Sequence, residues 1–272
     1  MSSHRYLVSL AAAATAAVVL SACGSSSSPS SSGSPANLTS QSGSQIVTTA
    51  VAATKKQSSL HFEETAGRPG TGVVVVGDVA SSSGQQTITI TSGKKTGHVY
   101  LLLAGNTAYF KGDAFGLEGF TQFTPALATR FANKWIAVPS TNQGFAALTG
   151  TLQVSGVADN LVKMPGTLTN SGTSTRAGTA VVAVQAKQSS TGGTLSLVEY
   201  VATGGPSLPV LVQGSTSSTT AGNRAVKATF GRWGEPVHVR APSSSVPIAT
   251  VEAAASSTTT TTPGTTTTPS LG

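Results

Sequence analysis

This 272-residue sequence predicts an α+β domain: one long, curling antiparallel sheet covered on one side by a few helices. Three observations carry the prediction. About ten short runs rich in Val, Ile, Thr and aromatics alternate in period two and are punctuated by Gly and Ser. Helical spacing occurs only ahead of the first run and in the middle of the chain. About 200 residues lie between two low-complexity ends, enough for one domain with its own core.

The N-terminal end carries a leader. His4 and Arg5 precede the uncharged stretch LVSLAAAATAAVV at 7–19. A basic start, a short apolar run and small residues behind it describe a secretory leader. The run is shorter than the ~20 residues a membrane-spanning helix needs. Cys23 is the single cysteine, so the chain offers it no disulfide partner. Leu20-Ser21-Ala22-Cys23 resembles the bacterial lipobox. That resemblance implies removal of 1–22, diacylation of the Cys23 thiol and anchoring at the outer face of a membrane. Two acyl chains suffice for stable anchoring where one is marginal. Residues 23–44, mostly Ser, read as a flexible tether.

The predicted domain covers 45–242. QIVTTAVAATKKQ at 45–57 has apolar residues at 46, 47, 50, 51 and 53 and a lysine pair near its end, which suggests an amphipathic helix. Strand patterns follow at 59–66, 71–80, 85–92, 98–104 and 106–112. In HVYLLLAGNTAYFKG a two-residue Gly105-Asn106 turn would set Leu103 opposite Ala108 and Leu101 opposite Phe110. Opposed residues share a face, so Val99, Leu101, Leu103, Ala108 and Phe110 make a wholly apolar side that needs a cover. FTPALATRFANKW at 123–135 suggests a helix with Thr124 as N-cap and Pro125 at its first position. Leu127, Phe131 and Trp135 would share one face, although WIAVP at 135–139 starts a strand and ends the helix near Asn133. Broken helical spacing covers 143–164. Strand patterns resume with TLTNSG and then at 179–187, 194–202, 208–214, 224–233 and 236–240. Residues 243–272 end in a Thr/Pro tract and read as a disordered tail.

Composition narrows the function. The chain has 16 Lys and Arg against 9 Asp and Glu, a net +7. The cations are scattered without a dense run, so nucleic-acid binding is not expected. A weak attraction to anionic lipid headgroups suits that charge better. No cofactor motif occurs, and His61, His98 and His238 lack metal-ligand spacing. Ser92-Gly93-Lys94-Lys95 fits Ser-x-x-Lys only formally, because it falls in a turn between strands rather than at a helix start. Neither Gly-x-Ser-x-Gly nor His-Glu-x-x-His is present, so no enzyme is expected.

The order of these pieces is similar to one known group. The lipobox, the first helix, GNTAYFKGDA at 105–114, NKWIAVP at 133–139, LPVLVQ at 208–213 and TFGRWGEPVHVRAP at 229–242 resemble the LppX/LprG type of envelope lipoproteins and the wider LolA/LolB-like half-barrel. The resemblance spans about 45–242. It implies a curved antiparallel half-barrel closed by helices, and a membrane-tethered monomer that holds or carries an acyl-chain ligand. Val99, Leu101, Leu103, Phe110, Leu127 and Phe131 would line the cavity. The alternative is a structural or interaction lipoprotein, because the small Ala- and Val-rich strands could equally collapse into a filled core.

Overall fold

The structure, a computed structural model, describes residues 37–218 and 222–257. The leader, Leu20, Ser21, Ala22, Cys23, most of the tether and the tail beyond 257 lie outside the described residues.

Among the described residues twelve strands form one open sheet in the order β12-β6-β5-β4-β3-β2-β1-β11-β10-β9-β8-β7. Strands β1 (Ser59–Arg68), β2 (Thr71–Ala80), β3 (Gly84–Ser92), β4 (Lys95–Ala104), β5 (Thr107–Gly112) and β6 (Ile136–Pro139) run from the centre to one edge. The chain then crosses to the opposite edge. From there it returns through β7 (Thr167–Arg176), β8 (Thr179–Ser190), β9 (Gly193–Ala202), β10 (Pro209–Ser218) and β11 (Arg224–Gly231), and β11 pairs with β1. The short β12 (Val246–Pro247) joins β6 in parallel, whereas the other pairings are antiparallel. The two edges are not hydrogen-bonded to each other, so the sheet is a half-barrel and not a closed one.

The first three helices have local causes. Helix α1 (Gly43–Lys55) starts at a capping box, with the Gln45 amide donating to Ser42 Oγ and the Ser42 amide donating to Gln45 Oε1. It buries Ile46, Val47 and Ala50 against the β7–β8 side of the sheet. Helix α2 (Ala114–Thr121) is capped by Asp113, which accepts from the Gly116 amide at 2.7 Å and from the His98 amide at 2.7 Å. It lies directly on β4: a Cβ on Gly116 would stand 2.4 Å from the His98 carbonyl oxygen. Helix α3 (Pro125–Phe131) has the expected Thr124 cap, which accepts from the Leu127 amide at 3.3 Å. Short helices α4 (Phe145–Thr149) and α5 (Val154–Val157) and a π-turn (Ala158–Val162) carry the crossover along the concave face. Helix α6 (Ile248–Ser257) packs on α3, β6 and β12.

Four expectations need correction. The helix of 123–135 ends at Phe131; Asn133 takes a φ of 60° and turns Trp135 away from the Leu127–Phe131 face. Residues 236–240 form no strand, because β11 stops at Gly231 and Arg232 adopts a φ of 47°. Helix α2 was not expected, since Gly116 and Gly119 disguise its spacing. The ordered domain is also longer than 45–242. It begins with the Leu38–Ser40 turn ahead of α1, and the 243–272 stretch contains β12 and α6, with Val251 and Ala254 buried.

Candidate functional site

The register across the sheet defines the concave face. One row runs Val184, Glu199, Val212, Ala228, Glu64, Val75, Ile88, Val99 from β8 to β4. A neighbouring row runs Ala186, Leu197, Gly214, Val226, Ala66, Val73, Ile90, Gly97. The face is therefore apolar over most of its width.

Its cover falls into two parts. On one side α1, α5 and the π-turn bury Leu60, Phe62, Val182, Val184 and Val201 with Ile46, Val157 and Val162. On the other, α2, α3 and α6 bury the hairpin face. All six sequence-predicted lining residues sit in this second cluster: Val99, Leu101, Leu103, Phe110, Leu127 and Phe131 are no more than 8 % exposed. The β4–β5 register is the expected one, with Leu101 opposite Phe110 and Leu103 opposite Ala108. Gly105 supplies the turn with a φ of 59°.

The crossover is pinned between the two parts. Gln86 Nε2 donates to Thr151 Oγ1 at 2.9 Å and to the Thr151 carbonyl. The Leu152 backbone lies so close to Gly84 that a Cβ there would meet its carbonyl oxygen at 2.2 Å. Towards the β1–β2 hairpin the cover thins. Ala66, Val73, Val75, Ile90, Leu195 and Val226 are only half-buried there, and they form an apolar strip between the two clusters. Arg68 and Arg224 stand at the outer end of the same face.

Two carboxyl groups interrupt this apolar floor. Glu64 is half-buried, and burial pushes its carboxyl above the usual carboxylate range. Glu199 is fully buried; among the described residues neither of its oxygens has a hydrogen-bond partner, and burial pushes it well above that range. A composition reading misses both. Glu64 appears as part of an ordinary Glu-Glu pair, and Glu199 is the one charged residue in TLSLVEYVA. Its place in the alternation, between Leu197 and Val201, was the available signal.

The convex side holds a polar cleft of about 130 Å³, lined among others by His61, Asp78, Gln85, Arg232, Glu235 and His238. Asp78 Oδ1 accepts from Arg232 at 2.8 Å and lies 2.8 Å from His61 Nδ1, which Arg232 also touches. Sequence spacing kept His61 and His238 apart, whereas the fold brings both to this cleft. Among the described residues no group of three or more His, Cys, Asp or Glu is placed to hold a metal ion. Ser92 and Lys95 face each other across a tight, exposed hairpin. No helix among the described residues is long and apolar enough to cross a membrane.

The architecture is that of an open, helix-covered α+β half-barrel. Solved structures that it resembles include LprF from Mycobacterium bovis (16% identity, TM-score 0.46, covering 74% of this chain and 97% of that one). The lipoprotein LppX from Mycobacterium tuberculosis is similar at 15% identity and a TM-score of 0.44, over 76% of this chain and 100% of that one. A LolA superfamily protein from Nitrosomonas europaea follows at 8% identity and 0.26, over 74% and 96%. These neighbours are of the LppX/LprG and LolA-like kinds that the sequence resembles. No known family's sequence profile matches the chain, and no curated protein matches it.

Proposed function

We propose that this protein is an extracytoplasmic lipoprotein, tied to the membrane through Cys23, that holds the acyl chain of a lipid on its concave face and carries or presents it in the cell envelope. The observation that supports this most is the half-open apolar strip of Ala66, Val73, Val75, Ile90, Leu195 and Val226 between two buried clusters. Water on such a strip is unfavourable, and an acyl chain laid along it gains about 0.8 kcal/mol for each CH₂ removed from water. Binding of this kind needs shape and length more than polar contacts. Val99, Leu101, Leu103, Phe110, Leu127 and Phe131 form the wall on the α2–α3 side. The role is holding, without chemistry on the ligand.

Native mass spectrometry of the gently extracted full chain tests this. A lipid retained in stoichiometric amount supports the reading. Bare protein from several independent preparations supports a second reading instead, an interaction lipoprotein with a filled core. One observation favours that second reading: the six lining residues are packed directly against α2, α3 and α6. The anchor has its own test. Cys23→Ser should leave the membrane fraction and lose the fatty-acid mass increment; firm retention without that increment would refute anchoring through Cys23.

A further inference from the structure

The Glu199 carboxyl is a polar group in the wrong solvent. It lies on the concave face of β9 between Val184 of β8 and Val212 of β10, flanked along its own strand by Leu197 and Val201. Its exposure is 0% and both oxygens are unpartnered among the described residues. A buried carboxyl without partners is costly in either protonation state, and more so when charged. Simple packing would favour Leu at this position. The described residues therefore hold no group that completes the hydrogen bonds of Glu199, and a bound ligand would supply one.

The register says where along a held chain that group would sit. From the Arg68–Arg224 row, the Glu64–Glu199 row lies four residues inward on β1, β11 and β9. At about 3.3–3.4 Å per strand residue this is about 13 Å. Burial deepens along the same path. Arg224, Thr216 and Leu195 are half-buried, Leu197 is nearly covered, and Glu199 is fully enclosed beside the π-turn, which packs on β10. A long chain whose head stays at the arginine end would thus present its middle, not its head, to Glu199 once the π-turn over that row moves aside. No lysine or arginine lies in the Glu199 row between β8 and β4, so nothing there favours an anionic group.

We propose that Glu199 is a specificity-determining residue that hydrogen-bonds an uncharged oxygen, a hydroxyl in its simplest form, carried part way along the acyl chain of the ligand. The proposal rests on the chain-holding reading above. A protonated carboxyl can donate its O–H to the ligand oxygen and accept the ligand O–H on its carbonyl oxygen, which would satisfy both unpartnered atoms at once. Plain saturated chains would leave Glu199 as unsatisfied as before. Its burial among apolar side chains disfavours the charged form and so favours the donating one.

The test compares ligands that differ only in the mid-chain oxygen. Stearate and hydroxystearates substituted at carbons 10 and 12 are titrated into the delipidated full chain, with displacement of Nile red as the readout. At least one hydroxystearate should bind about tenfold more tightly than stearate to the parent. Glu199→Gln, which keeps a donor and an acceptor, should retain most of that ratio, and Glu199→Leu should bring it to within twofold of unity. The infrared C=O band of a protonated carboxyl should shift on hydroxystearate binding in the parent and show no such shift in Glu199→Gln. Equal binding of stearate and both hydroxystearates to the parent overturns the proposal and leaves chain-holding intact. A ratio unchanged in Glu199→Leu overturns it as well. Failure of every chain to displace the probe defeats chain-holding itself, and this inference with it. If Glu199→Leu does not fold, the parent ratio and the infrared comparison with Glu199→Gln still decide.

Discussion

Replacing Glu199 by Leu should stabilise the delipidated protein, and by more as the pH rises. The carboxyl is fully enclosed beside Val184, Leu197, Val201 and Val212, with neither oxygen paired among the described residues. Removing an unsatisfied buried polar group recovers about 1–3 kcal/mol, and the Leu side chain is at home in the same place. The folded-state pKa of Glu199 lies well above the usual carboxylate range because burial disfavours its charge. Below the unfolded pKa both states hold the proton, and no charge penalty exists. Above it the unfolded chain releases the proton while the folded one keeps it, so the parent loses about 1.4 kcal/mol per pH unit until the folded pKa is reached. The Leu variant lacks that loss. For a domain of this size 1 kcal/mol corresponds to about 2–4 °C in Tm. Thermal melts of both proteins from pH 4.5 upward should therefore diverge, with the variant ahead. A gap that stays flat or narrows with rising pH would refute the enclosure and the missing partners alike.

Other perturbations probe the rest of the frame. Gly84→Ala sets a methyl 2.2 Å from the Leu152 carbonyl oxygen and 3.0 Å from Val79 Cγ1, so the crossover must lift; about 1–3 kcal/mol of stability should be lost in urea unfolding. Asp78→Ala breaks the half-buried contacts to Arg232 and His61 on the convex side and should change stability in urea unfolding by no more than about 1 kcal/mol. Ending the chain after Ser245 removes β12 and α6 with the buried Val251 and Ala254; stability should fall by about 2–3 kcal/mol and binding of an apolar dye should rise.

Much of this architecture is legible in the sequence, because period-two alternation reports directly on a sheet with one covered face. The hairpin of β4 and β5 is recovered residue by residue, since the Gly105-Asn106 turn sets the register and the register sets the face. The misses share a different cause. Helix α2 depends on Gly116, which local propensity disfavours and which only the closeness of the His98 backbone explains. Residues 236–240 alternate like a strand, yet Arg232 has already turned the chain out of the sheet. The segment 248–257, IATVEAAASS, shades into a Thr-rich tail and shows few large apolar residues. Its helix exists because α3 and β6 offer a surface for Val251 and Ala254. Glu199 belongs to the same class, because its meaning depends on what surrounds it.

The sheet also explains why the strip is open where it is. An antiparallel half-barrel whose first arm runs outward from the centre and whose second runs inward from the far edge must send one long connection across the sheet, here from β6 to β7. That connection can seat firmly only where a strand residue lacks a side chain, as at Gly84 under Leu152. Towards the β1–β2 hairpin the concave positions of the central strands are instead Ala66, Val73, Val75 and Val226, whose side chains stand up from the floor without a glycine between them. The crossover therefore stays near the Gln86 end, and the hairpin end keeps its apolar side chains half-uncovered. Filling that end with the protein's own residues would have required only a longer connection. The protein retains instead an apolar strip that leads inward to a row holding an unpaired carboxyl, a combination that serves a bound chain better than it serves stability.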